Sequence, residues 1–196
     1  MPHLIIIAGA NGSGKTTAAP ALLRDSLNVD NFVNADVIAQ GLCAFQPEKV
    51  AMQAGRIMLD TIHSLAAQKA NFAFETTLAS RTFSTWIPQL KTQGYLFHLV
   101  FLYLENADLA VFRVKERVQS GGHFVPEKTI RRRYSAGLKN FFNLYSPLAD
   151  SWQFYDNSHA NLFPLIASYI NPDGLVIENE TTWTQLLETY HDNTSI

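Results

Sequence analysis

The sequence predicts an α/β fold in three layers, a parallel sheet of about five strands with helices on both faces. Three observations lead there. Short β-branched or aromatic runs recur at residues 4–8, 72–74, 95–104 and 152–155. Stretches with apolar residues at helical spacing lie between them, which is the pattern of βαβ crossovers. The first run ends directly in a glycine-rich loop, the strand-loop-helix order that suits anion binding.

Each element has a local reason. Residues 4–8 form an unbroken apolar run closed by Gly9, suited to a strand covered on both faces. Residues 32–34 make a weaker strand, and 175–177 a late addition to the sheet. Across 48–68, Val50, Ala54, Ile57, Met58, Thr61, Ile62 and Leu65 follow helical spacing, and Pro47 is placed to start that helix. Asn106 can cap a helix reaching about Val118. Pro126 and Glu127 open another in which Ile130, Tyr134, Leu138 and Phe141 share a face, and Thr181 can cap the last. No repeat, low-complexity segment or long linker divides the chain, so residues 1–196 read as one domain. The glycine-rich break at about 119–127 reads as a mobile loop within it.

Composition narrows the class. With 15 Lys+Arg against 17 Asp+Glu, the formal charge is −2, which argues against a protein that grips nucleic acid through a basic face. Apolar residues are 47% and charged residues 16%, enough for a buried core and far from the disordered regime. Cys43 stands alone, which excludes an intramolecular disulfide or a cysteine zinc site and fits a reducing compartment. The N-terminal apolar run is too short for a signal sequence, and no stretch approaches about 18 apolar residues. A soluble cytoplasmic protein without membrane association is expected.

Gly9-Ala10-Asn11-Gly12-Ser13-Gly14-Lys15-Thr16 matches G-x-x-x-x-G-K-[ST] between a strand and a helix. The expected fold is therefore a three-layer P-loop NTPase. Glycines let successive main-chain N–H groups turn inward around an anion, and the following helix adds its positive end. Lys15 would reach the β- and γ-phosphates. The Thr16 hydroxyl would coordinate Mg²⁺, and Thr17 would border the nucleotide.

Asp36 follows the weak second strand, at the carboxyl end where parallel sheets place the ligand crevice. It can accept or orient the proton of an attacking hydroxyl, or it can merely cap residues 37–42. Glu75, Thr76 and Thr77 emerge at the same edge as substrate contacts. Glu75 can hold sugar or ribose hydroxyls or act through water on the metal, while Thr76, Thr77 and Ser80 can instead cap the next helix.

Arg113 and Arg117 lie four apart on one helix face, directly before Gly121-Gly122-His123, and Arg131, Arg132 and Arg133 follow on the next helix. A glycine-rich loop flanked by arginines is what a closing lid needs, although any single arginine here can equally be a solvated surface residue. His123 can contact an acceptor phosphate. Tyr155-Asp156-Asn157-Ser158 closes a strand near the cradle, where Asn157 can read the adenine edge or simply form a turn.

In order, GANGSGKTT, NADVIA, FETT, RVKERVQSGGHFVPE, IRRRY and YDNS resemble the zeta toxin family of P-loop kinases, particularly its chromosomal zeta-like branch, over nearly the whole chain. The resemblance implies an ATP-dependent kinase acting on UDP-N-acetylglucosamine or a related nucleotide sugar at a sugar hydroxyl. It implies toxicity and an antitoxin protein as partner. It places Asp36 as the catalytic base, Glu75 and Thr76 on the substrate, and Arg117 with Arg131 or Arg133 on phosphates.

The expected site thus has Lys15, Asp36, Arg117 and Arg133 in catalysis, with Arg113 and Asn157 joining the cradle residues and Thr17 around ATP. Asp36, Glu75, Thr76, Arg131 and His123 face the acceptor, and Thr16 holds Mg²⁺. Two other readings stay open: a nucleotide switch or regulatory ATPase without a small-molecule acceptor, and a kinase of nucleic-acid ends using Arg131 to Arg133.

Overall fold

The computed structural model describes residues 1–25, 29–122, 124–159 and 163–192. Its sheet contains β1 (His3–Gly9), β2 (Asn31–Val33), β3 (Phe72–Thr76), β4 (Leu96–Tyr103), β5 (Ser151–Asp156), β6 (Leu165–Ile170) and β7 (Gly174–Ile177). The spatial order is β2-β3-β1-β4-β5-β6-β7. Strands β1 to β5 pair in parallel, and β6 and β7 add an antiparallel hairpin. The helices are α1 (Lys15–Pro20), α2 (Ala35–Leu42), α3 (Ala51–Ala67), α4 (Thr82–Thr92), α5 (Ala107–Gln119), α6 (Glu127–Asn140) and α7 (Glu180–Tyr190). This is the three-layer P-loop NTPase fold.

Alternation along β1 builds both cores. Leu4, Ile6 and Ala8 enter the larger one, with Met58 and Ile62 of α3, Phe83 and Ile87 of α4, Ile130 and Leu138 of α6, and Trp183 of α7. Ile5 and Ile7 point the other way, onto Ala19 and Leu23. The run is apolar throughout because helices cover both faces. Each such side chain contributes roughly 1.5–3 kcal/mol by leaving water.

Seven strands rather than about five complete the sheet. The expected late run 175–177 lies in β7, and the strand not expected is β6, joined to it through Asn171-Pro172-Asp173-Gly174, a turn cluster between two apolar runs that marks a hairpin. Pro47 opens a short 3-10 turn, Pro47–Val50, that feeds α3. Asn106 caps α5 through Leu109 N at 2.8 Å. The last helix is capped by Asn179, which accepts from Thr182 N at 3.0 Å, instead of by Thr181. Thr181 already lies in the first turn of that helix, where its own N–H needs a partner.

The glycine pair after α5 makes a Schellman turn: Gly122 N donates to Arg117 O at 2.8 Å and Gly121 N to Val118 O at 3.0 Å. Gly121 takes φ 84° there, a left-handed conformation that glycine adopts freely and residues with a Cβ adopt only with strain. The helix carrying Arg113 and Arg117 therefore ends at a defined point. Among the described residues, no helix is long and apolar enough to cross a membrane.

Candidate active site

Strand register sets the site. Ile7 of β1 pairs with Glu75 of β3, and Phe74 pairs with Val33 of β2. The ends of three adjacent strands thus deliver the cradle, Glu75 and Asn34 to one level of the carboxyl edge, where open parallel sheets bind ligands.

Within the cradle, Gly14 takes φ 81°, and a Cβ there would stand 2.5 Å from Asn157 Nδ2. Lys15 is 6% exposed. Its Nζ donates to Ala10 O at 2.8 Å and lies 3.8 Å from Glu75 Oε1. Burial pushes the Lys15 ammonium below its ordinary value; Glu75 and Asp36 oppose that shift, while Arg117 and Arg133 add to it. Phosphate charge in the cradle would favour the protonated form.

Thr16 Oγ1 and Asn34 Nδ2 both donate to Glu75 Oε2, each at 2.8 Å. A threonine hydroxyl beside a carboxylate offers the hard oxygen ligands that suit Mg²⁺. Among the described residues, no cluster of three or more His, Cys, Asp or Glu could hold a metal. A cation here would take its remaining ligands from nucleotide oxygens and water, as Mg²⁺ commonly does.

Asp36 does not cap its helix. Asn34 does, accepting from Asp36 N at 2.8 Å and Val37 N at 3.3 Å. The Asp36 carboxylate is exposed and borders two neighbouring cavities of about 360 and 210 Å³. Both are also bordered by Gly12, Lys15, Glu75 and Arg117. The larger extends over Thr16, Thr17 and Arg113 to Gln40 of α2, and the smaller adds Asn11, Thr76, Thr77 and Arg133.

Arg133 is half-buried, and its guanidinium donates to Asn11 Oδ1 at 3.3 Å. Burial and Arg132 push it below its ordinary value, and Asp36 opposes them. Its helix is held in place by Tyr134, whose hydroxyl donates to Leu104 O at 2.7 Å, and by Asn140, which donates to Leu78 O at 2.7 Å.

Other expected residues lie elsewhere. Arg131 borders neither cavity: it is exposed and donates to Asp108 Oδ1 at 2.6 Å and to Glu127 Oε1 at 2.9 Å. Two residues from Arg133 on a helix, it points to a different side. Arg113 borders the larger cavity, but its guanidinium is fastened to Asn157 O at 2.7 Å and Ser158 O at 2.8 Å. Asn157 is buried and donates to Ser13 O at 2.7 Å, so its amide N–H supports the cradle from behind instead of meeting an adenine edge. Thr76 accepts from Leu78 N at 3.2 Å, bracing a turn while lining the smaller cavity. His123 lies outside the described residues. The residue missed by the sequence reading is Asn34; asparagine between a strand and a helix is a capping signal, but its second contact is not visible in the sequence.

A family model described as an AAA domain matches residues 4–136. A Haemophilus influenzae protein described as uncharacterized is 29% identical over 130 residues, 66% of this chain and 91% of its own. A chain in the structure of AvrRxo1-ORF1:AvrRxo1-ORF2 with sulphate ions shares the fold at TM-score 0.79 and 16% identity, covering 100% of this chain and 66% of its own length. The ATP complex of that pair scores 0.77, with 16% identity and the same coverage. This chain thus spans just under two thirds of that protein. A chain of the PezAT chromosomal toxin-antitoxin system of Streptococcus pneumoniae matches at TM-score 0.65 and 14% identity, over 100% of this chain and 80% of its own.

Proposed function

The chain belongs to the AAA domain family through residues 4–136, and from that premise we propose that it is an ATP-dependent kinase passing the γ-phosphate to a hydroxyl of a small molecule. The acceptor we propose is a nucleotide sugar or similar metabolite, in the manner of the zeta-like branch. The ATP-bound relative of the same fold supports ATP as donor.

In this reading the cradle main chain, Lys15 and Arg117 grip the triphosphate, and Thr16 with Glu75 would hold Mg²⁺. Bound there, the cation would neutralise charge on the β- and γ-phosphate oxygens. Asp36 accepts the acceptor's hydroxyl proton as its oxygen bonds to the γ-phosphorus and the bond to the bridging oxygen breaks, releasing ADP. Arg133 lines the smaller cavity with Asp36 and balances charge that spreads over the transferred group. Residues 1–196 act as one kinase domain, with the 119–127 segment as its lid, in the cytoplasm. An antitoxin partner fits the likeness to a toxin-antitoxin system.

The observation that supports transfer over simple hydrolysis is the paired cavities sharing Asp36, Lys15 and Arg117. A switch ATPase needs room for nucleotide and water; the smaller cavity, bordered by Asp36 and Arg133, is additional room for an acceptor. Incubation with γ-labelled ATP, Mg²⁺ and a metabolite extract, followed by separation of labelled products, tests this. A labelled small molecule is expected, with UDP-N-acetylglucosamine tried first as a pure acceptor. Label found only in inorganic phosphate would replace the kinase with a regulatory ATPase.

A further inference from the structure

We propose that Asn34 is a positioning residue, one side chain that sets the metal-side carboxylate Glu75 and the helix turn carrying Asp36 in fixed relation. The inference rests on the kinase reading for the roles of those two acids, and on the geometry of Asn34 for the rest.

Asn34 is 6% exposed, and every polar atom of its amide is engaged. Its Oδ1 accepts from Asp36 N at 2.8 Å and Val37 N at 3.3 Å. Its Nδ2 donates to Glu75 Oε2 at 2.8 Å and stands 3.4 Å from Thr16 Oγ1. An amide has one accepting end and one donating end. Helix N–H groups can meet only the oxygen, so the nitrogen is forced toward Glu75. The same Oε2 receives the Thr16 hydroxyl proton at 2.8 Å; with one lone pair of that hydroxyl facing Asn34 Nδ2, the other stays open to a cation.

Other capping residues cannot do both tasks. Serine caps helices well but has no amide to reach Glu75. Aspartate keeps the cap but sets a second anion against Glu75. Asparagine accepts from the helix with Oδ1 while its separate Nδ2 reaches Glu75, which ties the position of the proposed base to the orientation of the carboxylate beside the metal site. Partners of this kind, one step removed from a metal, orient its ligands.

The test uses Mn²⁺ in place of Mg²⁺, with a non-hydrolysable ATP analogue, and reads metal affinity by electron paramagnetic resonance. Asn34→Ser and Asn34→Thr both preserve the cap, so thermal melting should move by no more than a few degrees. Mn²⁺ affinity in the nucleotide complex should fall about tenfold in both variants, because each removes the amide that fixes Glu75. In a Glu75→Ala background, which removes the acceptor, adding Asn34→Ser should cause no further loss, because the two act as one unit.

Unchanged Mn²⁺ affinity in both variants would overturn the proposal. So would an undiminished effect of Asn34→Ser in the Glu75→Ala background, which would assign it to the cap alone. Should Asn34→Ser fail to fold, Asn34→Thr carries the test, since its hydroxyl also caps the helix. No acceptor enters this assay, so parent protein that binds metal and analogue but labels no metabolite would remove the kinase reading and leave the Asn34 result standing.

Discussion

Asn157 donates its side-chain amide to the main-chain carbonyl of Ser13 across 2.7 Å, tying the loop after β5 to the back of the phosphate cradle. Arg113 then ties α5 to the same loop through the carbonyls of Asn157 and Ser158. The cradle and α5 therefore share one brace.

Asn157→Ala should weaken nucleotide binding without touching any phosphate. It leaves the carbonyl of Ser13, itself a fully buried residue, without this donor, at about 1–3 kcal/mol. Calorimetry with a non-hydrolysable ATP analogue should show an affinity loss of about tenfold. Parent-like affinity together with parent-like melting would mean the brace is idle.

Asp36→Asn separates chemistry from binding. Removing the proton acceptor should lower acceptor phosphorylation by about 10²–10⁴-fold while analogue affinity stays within about twofold. Lys15→Ala should instead remove turnover by withdrawing the charge nearest the transferred group, about 10²-fold or more. Turnover at the parent rate in either variant contradicts the role given to that residue.

The two arginines on α6 should behave differently. Arg133→Ala takes a cation from beside Asp36 and should lower kcat/KM for the acceptor by about 10²-fold. Arg131→Ala breaks an exposed pairing with Asp108 and Glu127 and should leave kcat/KM within about twofold. If Arg131 proves the costlier loss, the acceptor lies on the outer face of α6 and not in the cavity.

Stability should fall in mild acid through a histidine pair at the far end of the sheet. His3 Nδ1 and His98 Nε2 are 2.9 Å apart, and His98 Nδ1 meets Ser151 Oγ at 2.7 Å. Burial pushes the His98 imidazole below its ordinary 6.5, His3 adds to the shift and Asp150 opposes it. The unfolded chain therefore takes up the proton first as pH falls. This contribution is whole above about pH 6.5 and is lost as pH falls through the lower folded-state value. Urea midpoints measured between about pH 8 and 5 should drop over that range, and His98→Gln should flatten part of the drop. An identical profile in the variant would place the pH dependence elsewhere.

Much of the architecture was legible because its causes are local. Gly9 to Thr16 carry a main-chain loop whose shape follows from glycine and from its place between a strand and a helix. The apolar run of β1 and the helical spacing of α3 follow from burial on two faces and on one. β6 escaped notice because it belongs to an antiparallel hairpin with its own turn, outside the βαβ rhythm.

By itself the sequence determined the phosphate loop, the parallel core of the sheet and the edge at which Asp36 and Glu75 emerge, since periodicity and turn chemistry act over a few residues. Tertiary structure alone decided that Arg133 and not Arg131 meets the cavity, that Asn157 supports Ser13, and that Asn34 joins Glu75 to the Asp36 turn. Those choices lie in hydrogen bonds between residues separated by 122, 144 and 41 positions. A polar side chain takes whichever partner packing brings within about 3 Å, and that partner is absent from its own stretch of chain.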